Sequence, residues 1–251
     1  GSGKTTTIYS ILDILNKRER NITTIEDPVE YRIAGANQVQ VNAKTNLTFA
    51  NGLRSILRQD PNIIFVGEIR DNDTASIAVN AALTGHLVFS TLHTNDAATA
   101  IPRLTDMKVE PFLVASTVNV IVAQRLIRKT CSLCQVPVKI SWEELTKNFP
   151  NEGVLKEYFT TNQSKEITLF QGKGCKACHL SGYLGRIGIF EILEVPKRIR
   201  RLITEKADSD ALTKAAVEEG MTTMFIDGVQ KAVRGLTSIE EVFRAVKTES
   251  S

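Results

Sequence analysis

Short apolar runs alternate with amphipathic segments along the first half of the chain. Residues 21–25, 63–66 and 86–92 have the length and the apolar or β-branched composition of strands, and turn-forming residues bound them. Between them, the Ala-rich stretch 74–83 has the composition and spacing of a helix. This alternation is typical of a parallel sheet with helices on both faces. The pattern therefore predicts an α/β fold up to about residue 126.

The apolar pattern changes midway along the chain. A polar insert at 135–174 carries a short predicted helix at 142–149, and a strand is predicted at 187–193. The chain ends in amphipathic segments, the last of which follows an S-x-x-E capping box formed by Ser238 and Glu241. The second half is therefore predicted to be an irregular insert followed by helices.

The first residues form part of a phosphate-binding loop, in the order Gly1, Ser2, Gly3, Lys4, Thr5 and Thr6. Gly3, Lys4 and Thr5 fill the last three positions of G-x-x-x-x-G-K-[ST], so we expect its first Gly and a preceding strand upstream of residue 1. A helical pattern follows at once, which argues against a chance Gly/Ser turn. In such loops backbone N–H groups and the Lys bind phosphate, and the Thr hydroxyl ligates Mg²⁺. Residues 1–6 are therefore predicted to bind ATP, with Thr5 holding Mg²⁺.

Acidic residues follow two of the predicted strands. Glu26 and Asp27 follow the first strand, and Gly67 and Glu68 follow the second. Carboxyl ends of parallel strands share one sheet edge, where phosphoryl-transfer enzymes place a metal-supporting carboxylate and a base that orients water. Since Gly67 stands where an Asp usually holds Mg²⁺, we predict Glu68 as the base and Glu26 or Asp27 as metal support. A plain turn at Asp27 and a surface ion pair of Glu68 with Arg70 are the simpler interpretations.

Two histidines bracket the predicted strand 86–92. His93 comes at its carboxyl end, where the γ-phosphate would lie, whereas His86 opens the strand. A histidine at a strand end is more often held by structural hydrogen bonds than used in catalysis. The positions favour a functional role for His93 more than for His86.

All four cysteines lie in two C-x-x-C pairs, Cys131/Cys134 and Cys175/Cys178. Four thiolates are the ligand set of a structural Zn²⁺ site, which leaves no open coordination position for catalysis. The second pair, followed by His179, also matches the C-x-x-C-H signature of covalent haem attachment. Haem requires only one such pair and leaves the other unexplained, so we predict zinc.

Composition and charge narrow the possible partners. The chain is 42% hydrophobic and 24% charged with a net charge of +3, a globular composition whose mild charge gives no argument for nucleic acid. No apolar run reaches the roughly 18 residues of a membrane span, so we expect any membrane role to be peripheral. Two basic stretches, 125–129 and 197–206, are typical of solvated faces; a sharper hypothesis is that one faces anionic lipid or an acidic membrane protein.

Four ordered motifs resemble the ATPases that drive type II secretion and type IV pilus assembly. Besides the phosphate loop, residues 24–30 (T-I-E-D-P-V-E) resemble the aspartate box of that family, and residues 57–71 resemble its atypical Walker B region, including the Gly. Residues 84–95 resemble its histidine box. The long tetracysteine insert resembles that of the secretion and assembly members, whereas pilus retraction ATPases resemble the core but lack it. The resemblance covers essentially the whole chain.

This resemblance implies a hexameric, cytoplasmic ATPase with a RecA-like core, bound peripherally at the inner membrane. It implies that Glu68 is the catalytic acid/base, and that the site is completed by Lys4, Thr5, Glu26, Asp27, His86 and His93. The implied partners are further subunits, an inner-membrane platform protein with its assembly proteins, and anionic lipid, but no nucleic acid. Family members also use arginines of a preceding domain, so residues 1–251 alone are expected to turn over ATP poorly.

The resemblance and the cysteines divide the chain into three predicted parts. These are a nucleotide-binding core over 1–128, a zinc-binding tetracysteine subdomain over 129–186 and a mostly helical part over 187–251. A RecA-like nucleic-acid translocase or DNA-uptake motor is the alternative function. A translocase requires a basic groove with aromatic side chains that stack on bases, and the sequence does not supply one. A non-catalytic zinc-bearing interaction module would have no need of the acidic and histidine boxes.

Overall fold

The computed structural model describes residues 1–141, Leu145 and residues 166–247. Apart from Leu145, the helix predicted at 142–149 lies outside them. By its contacts the chain divides into two units, one made of residues 3–123 with 192–221 and the other of residues 1–2 and 124–191 with the C-terminal residues from 222. The division predicted from sequence, at residues 128 and 186, stays a prediction.

The first unit is built on a four-stranded sheet in the order β2-β1-β3-β4. Every neighbouring pair is parallel, and the register sets Ile22 opposite Ile63 and Ile63 opposite Leu87. The predicted parallel α/β fold is therefore confirmed. The strands are β1 (Ile22–Glu26), β2 (Asn37–Gln40), β3 (Ile63–Val66) and β4 (Leu87–Ser90).

Helices cover both faces of this sheet. The side chains of the buried central strand alternate in direction, so they pack into a separate apolar cluster on each face. Ile63 and Phe65 of β3 pack in one apolar cluster with Tyr9 and Leu12. The intervening Ile64 and Val66 belong to a second, larger cluster. The helices of the unit are α1 (Lys4–Leu15), α2 (Phe49–Ile56), α3 (Asn72–Leu83), α4 (Ala100–Asp106), α5 (Pro111–Thr117), α6 (Lys197–Thr204) and α7 (Ser209–Glu218).

The basic stretch 197–206 forms helix α6 and has a structural explanation. The Arg200 guanidinium donates to the carbonyl of Ala115 at 2.6 Å and to that of Ser116 at 3.3 Å, and so satisfies acceptors at the end of α5. Arg198 pairs with Glu218 of α7. These contacts support the simpler interpretation of a solvated, internally paired helix face.

The second unit contains an antiparallel strand pair and helices. Its strands β6 (Gln135–Ser141) and β7 (Glu166–Gly172) pair antiparallel, so the predicted irregular insert contains a regular ribbon. Two longer strands, β5 (Val120–Thr130) and β8 (Tyr183–Glu194), form a two-stranded sheet, and β8 contains the predicted strand 187–193. Helices α8 (Met224–Val233) and α9 (Ile239–Lys247) follow. Over the described part of the chain, helices fall short of the length and apolarity needed to cross a membrane.

The predicted capping box before α9 forms only in part. The Ser238 hydroxyl accepts the N–H of Glu241 at 3.4 Å. The Glu241 carboxylate, which is buried, is engaged by both guanidiniums of Arg128 and Arg244 and accepts the backbone N–H of Arg128 at 3.1 Å. Burial alone would raise the pKa of Glu241, but the hydrogen bonds from the two arginines lower it to about 2.

Candidate functional site

The ends of three adjacent strands assemble the candidate site. Because β1, β3 and β4 are parallel neighbours, their carboxyl ends share one edge of the sheet. Two bonds tie the segments beyond β3 and β4 together: the Ile69 N–H donates to the Thr91 carbonyl at 3.0 Å, and the Thr91 hydroxyl donates to the Gly67 carbonyl at 2.7 Å. The backbone therefore fixes the positions from which Glu68 and His93 project.

Glu68 and His93 form a direct pair at this edge. The His93 Nε2 lies 2.8 Å from a Glu68 carboxylate oxygen, and the Glu68 side chain is only 12% exposed. Arg70 pairs with the other Glu68 oxygen at 2.7 Å, so the surface ion pair considered from sequence also forms. An ionised carboxylate only accepts hydrogen bonds, so Nε2 of His93 donates. Sequence placed these two residues at one edge, and the structure brings them into contact.

Glu26 ends β1 at the same edge and is held differently. Its carboxylate is 2% exposed and accepts from the hydroxyls of Tyr9 and Thr24 and from the Gln38 amide, at 2.6 Å for Thr24 and 3.2 Å for Gln38. All three donors are neutral. The carboxylate is thus oriented by hydrogen bonds without a cation among these partners, which suits support of a metal ion at this edge.

Tyr9 is a site residue that our sequence analysis missed. It lies on α1, is 1% exposed and packs edge-on against Tyr31 with ring centroids 4.5 Å apart. Burial, followed by the hydrogen bond to Glu26, raises its pKa. The signal was present in the sequence, because Tyr9 and Leu12 are three positions apart and form the buried face of the helix.

Gly67 has a steric reason to replace the usual Asp. Its N–H donates to the Ile25 carbonyl at 2.7 Å. A Cβ at this position would lie 3.2 Å from both the Glu26 Cα and the Ile25 carbonyl oxygen, which is tighter than ordinary contact. A carboxylate for the metal must therefore come from elsewhere. Asp27, exposed in the bend just after β1, and the neighbouring Glu26 are the two predicted sources.

The phosphate-loop residues begin helix α1 as predicted. Gly3 has φ 84°, a left-handed conformation that suits glycine, and its carbonyl accepts the Thr7 N–H at 3.1 Å. Gly3 is the N-cap residue of α1, and no side chain accepts a capping hydrogen bond there. The first turn of this helix carries no acidic residue. The N-terminal N–H groups and the side chains of Lys4 and Thr5 therefore present the donors and the hydroxyl that a phosphate with Mg²⁺ requires.

His86 is not brought to this edge. It precedes β4, at the amino end of the strand, and its N–H caps the end of α3 by donating to the Ala81 carbonyl. Its Nδ1 lies 2.9 Å from the same carbonyl and 3.2 Å from the Thr84 hydroxyl. These are structural contacts, and the assignment of His86 to the site stays a prediction.

The four cysteines converge in the second unit. Their sulfur atoms all lie within 4.8 Å of one another, with separations of 3.9 Å for Cys131 to Cys175, 3.8 Å for Cys134 to Cys178 and 3.7 Å for Cys175 to Cys178. A tetrahedral zinc site with bonds of about 2.3 Å has sulfur–sulfur edges of about 3.8 Å. The cluster therefore fits one such cation, whereas covalent haem attachment would not require the two pairs to meet.

Glycines and backbone hydrogen bonds allow this convergence. A Cβ on Gly172 would collide with the Gly182 backbone, and Gly174 has φ 91° with no room beside Leu180. The N–H of Cys175 donates to the Cys178 sulfur at 3.2 Å and is the main cause that lowers the pKa of that thiol to about 6. Burial raises the pKa of Cys134 to about 12. The four sulfur atoms thus offer the ligand set of a metal site, whose binding is coupled to loss of the thiol protons.

Comparison with known proteins identifies the relatives. A family model described as "Type II/IV secretion system protein" matches residues 1–244. The chain is 46% identical over 249 residues to "Type II secretion system protein E" of Pseudomonas aeruginosa, covering 99% of this chain and 47% of that protein. It is 45% identical over 249 residues to "Type IV pilus assembly ATPase TfpB" of Acinetobacter baylyi, covering 98% and 40%. The chain thus spans about half the length of these relatives or less.

Solved structures agree on the fold. The pilus retraction motor PilT with bound ADP superposes with a TM-score of 0.68 at 30% identity, covering 98% of this chain and 58% of that chain. The Legionella pneumophila ATPase DotB has a TM-score of 0.66 at 24% identity, covering 99% and 58%, and supports the fold alone. The resemblance predicted from the motifs is confirmed by these matches. The chain belongs to the type II/IV secretion system protein family.

Proposed function

We propose that the protein containing this chain hydrolyses ATP and uses the energy to drive type II secretion or type IV pilus assembly. The observation that carries the proposal is the Glu68–His93 pair, held at the sheet edge beside Glu26. Helix α1 reaches the same edge, because its Tyr9 binds Glu26. A phosphate loop, a base and a metal-supporting carboxylate are the parts that phosphoryl transfer to water requires.

Each residue then has a distinct task. Lys4 and the N–H groups at the start of α1 bind the β- and γ-phosphates, and Thr5 would hold Mg²⁺, which supplies charge stabilisation when bound. Glu68 orients a water and accepts its proton as the water oxygen attacks the γ-phosphorus and the bond to the departing ADP oxygen breaks. His93 and Arg70 each occupy one oxygen of Glu68, and every carboxylate oxygen keeps a second lone pair for the water.

The assembled machine extends beyond this chain. We propose a RecA-like hexamer on the cytoplasmic face of the inner membrane, working on a platform protein and its assembly partners. The assignment to such a machine is supported by relatives named "Type II secretion system protein E" and "Type IV pilus assembly ATPase TfpB". The tetracysteine cluster is proposed to hold a structural Zn²⁺, since its sulfur geometry fits one tetrahedral ion.

Two substitutions in the full-length protein test the ATPase assignment. Lys4→Ala should lose ATP binding and turnover together, because it removes the cation at the β/γ bridge. Glu68→Gln should still bind ATP but lose about 10³-fold in turnover, so that unhydrolysed ATP remains trapped. Glu19→Gln, on an exposed residue after α1, is the matched control. Normal hydrolysis by Glu68→Gln would refute the choice of base and leave Glu26 or Asp27 as the candidate.

Additives separate the proposed function from the nucleic-acid translocase. The full-length ATPase should be stimulated by its membrane platform protein or by acidic lipid, and single-stranded DNA should leave its rate unchanged. Strong stimulation by single-stranded DNA alone would favour the translocase instead.

A further inference from the structure

Two leucines project from the tetracysteine cluster into solvent. Leu133 lies between the cysteines of the first pair and is 73% exposed, and Leu180 follows the second pair and is 77% exposed. We call residues 131–134 and 175–180 the two knuckles. Because the sulfur atoms of both pairs meet in one cluster, the two knuckles and the leucines they carry belong to one body.

The backbone of Leu180 is unfavourable for a leucine. Its φ is 61°, in the left-handed region, and its N–H is bonded to the Cys175 carbonyl at 2.9 Å. This conformation is unfavourable for a residue with a Cβ, and Gly or Asn would adopt it more readily. Packing does not compensate, since the side chain is exposed. The backbone conformation serves the knuckle through this bond to Cys175, but packing within the fold does not explain why the exposed side chain is a leucine, which points to a role for that side chain outside the fold.

The chain segments that carry the knuckles are also basic. Segments 129–134 and 173–186 contain four cationic residues and no carboxylate: Lys129, Lys173, Lys176 and Arg186. All four side chains belong to exposed residues, and the Lys173 N–H bonds the Cys134 carbonyl at 3.0 Å, against the first knuckle. A Zn²⁺ ion with four thiolates would carry a charge of about −2, so the region stays net positive.

We propose that the two knuckles dock on an anionic lipid bilayer, with Leu133 and Leu180 inserted at the headgroup level and the four cations against phosphate. Single projecting leucines can insert into a bilayer without a complementary pocket, whereas a protein partner would need a matching surface around them. Each cation near an anionic surface strengthens binding by about fivefold. Docking requires no ATP hydrolysis, so it can fail independently of the proposed function.

Vesicle flotation of the zinc-loaded full-length protein tests the proposal. Vesicles of phosphatidylcholine mixed with phosphatidylglycerol should bind it, and vesicles of phosphatidylcholine alone should bind it much more weakly. Leu133→Ser combined with Leu180→Asn should lower the affinity about tenfold, since both apolar anchors are lost while Asn tolerates the left-handed backbone. Lys176→Gln should lower it about fivefold. Ile14→Gln, on an equally exposed residue at 76%, should change nothing.

A local probe separates knuckle insertion from binding elsewhere in the full-length protein. Leu133→Trp should add an emission component that shifts to shorter wavelength on phosphatidylglycerol vesicles and is quenched by brominated lipid. Unchanged binding by the double leucine variant, or emission from the introduced tryptophan that stays typical of water, would overturn the proposal. Loss of platform-protein binding in the double variant, with vesicle affinity intact, would also overturn it and assign the knuckles to a protein partner.

Discussion

The two units each bury a glutamate, and they stabilise it in opposite ways. Glu26, at the sheet edge of the first unit, is 2% exposed and receives hydrogen bonds from a tyrosine, a threonine and a glutamine. Glu241, at the start of α9 in the second unit, is 1% exposed and receives two guanidiniums and a backbone N–H. One carboxylate has neutral donors, and the other has two cations.

This difference indicates which glutamate is available for chemistry. The charge of Glu241 is already compensated, so it serves to hold β5 and α9 together within its unit. The Glu26 carboxyl group is held by three neutral donors with no cation among them, and it lies at the sheet edge where Lys4 and Mg²⁺ are proposed to act. Burying a carboxylate that has no cationic partner costs free energy, and a bound cation would reduce that cost.

The largest expected effect concerns the cysteine cluster of the second unit. The purified protein should contain about one Zn²⁺ per chain, and Cys131→Ser with Cys175→Ser should lose it. Structural zinc contributes on the order of 10 kcal/mol, so the second unit should become sensitive to protease while the first retains its fold. Metal analysis and limited proteolysis measure both, with Ser132→Ala as control. Substoichiometric zinc, or a haem Soret band after expression with a periplasmic leader, would contradict this.

The next effect separates the two glutamates by substitution. Glu241→Gln leaves Arg128 and Arg244 without their shared anion and should lower the free energy of unfolding by roughly 3 kcal/mol. Glu26→Gln keeps an acceptor for Tyr9 but turns an amide NH2 towards the Gln38 amide, so it should cost roughly 1 kcal/mol and should also abolish ATP turnover in the full-length protein. Urea unfolding and ATPase assays on both variants measure the contrast. Equal destabilisation by the two would remove the distinction.

The pH dependence sharpens the same contrast. The folded-state pKa of Glu241 is about 2, below its usual value near 4.3, so its contribution to stability is present above about pH 4 and is lost as the pH falls towards 2. The unfolding free energies of the unmodified protein and Glu241→Gln should therefore converge over this range. Zinc is released from both proteins in acid, so the difference between them is the quantity to follow. A constant difference from pH 5 to 2 would mean that Glu241 is not the group that titrates.

The sequence predicts those site residues that follow the ends of strands. It does not predict contacts between residues that are far apart along the chain. Glu68 and His93 were found because each follows an apolar run, and the parallel register brings their strands together. The contact of Arg128 with Glu241 joins residues 113 positions apart and leaves no periodic signal. Strands β6 and β7 were missed although each has seven residues, because their pairing is visible only across the insert.

The smallest effect tests whether Tyr9 positions Glu26. Tyr9→Phe keeps the ring against Tyr31 and Phe65 but removes the hydroxyl that binds the carboxylate. A hydrogen bond to a charged group contributes about 1.5 kcal/mol to stability, so the unfolding temperature should fall modestly, and if Tyr9 positions Glu26 the turnover should fall about tenfold as well. A purely structural role would lower the unfolding temperature but leave kcat unchanged. Tyr31→Phe keeps the edge-on packing of the two rings and is the control. A tenfold loss of turnover in this variant too would show that the packing of the rings, rather than the bond to Glu26, sets the rate.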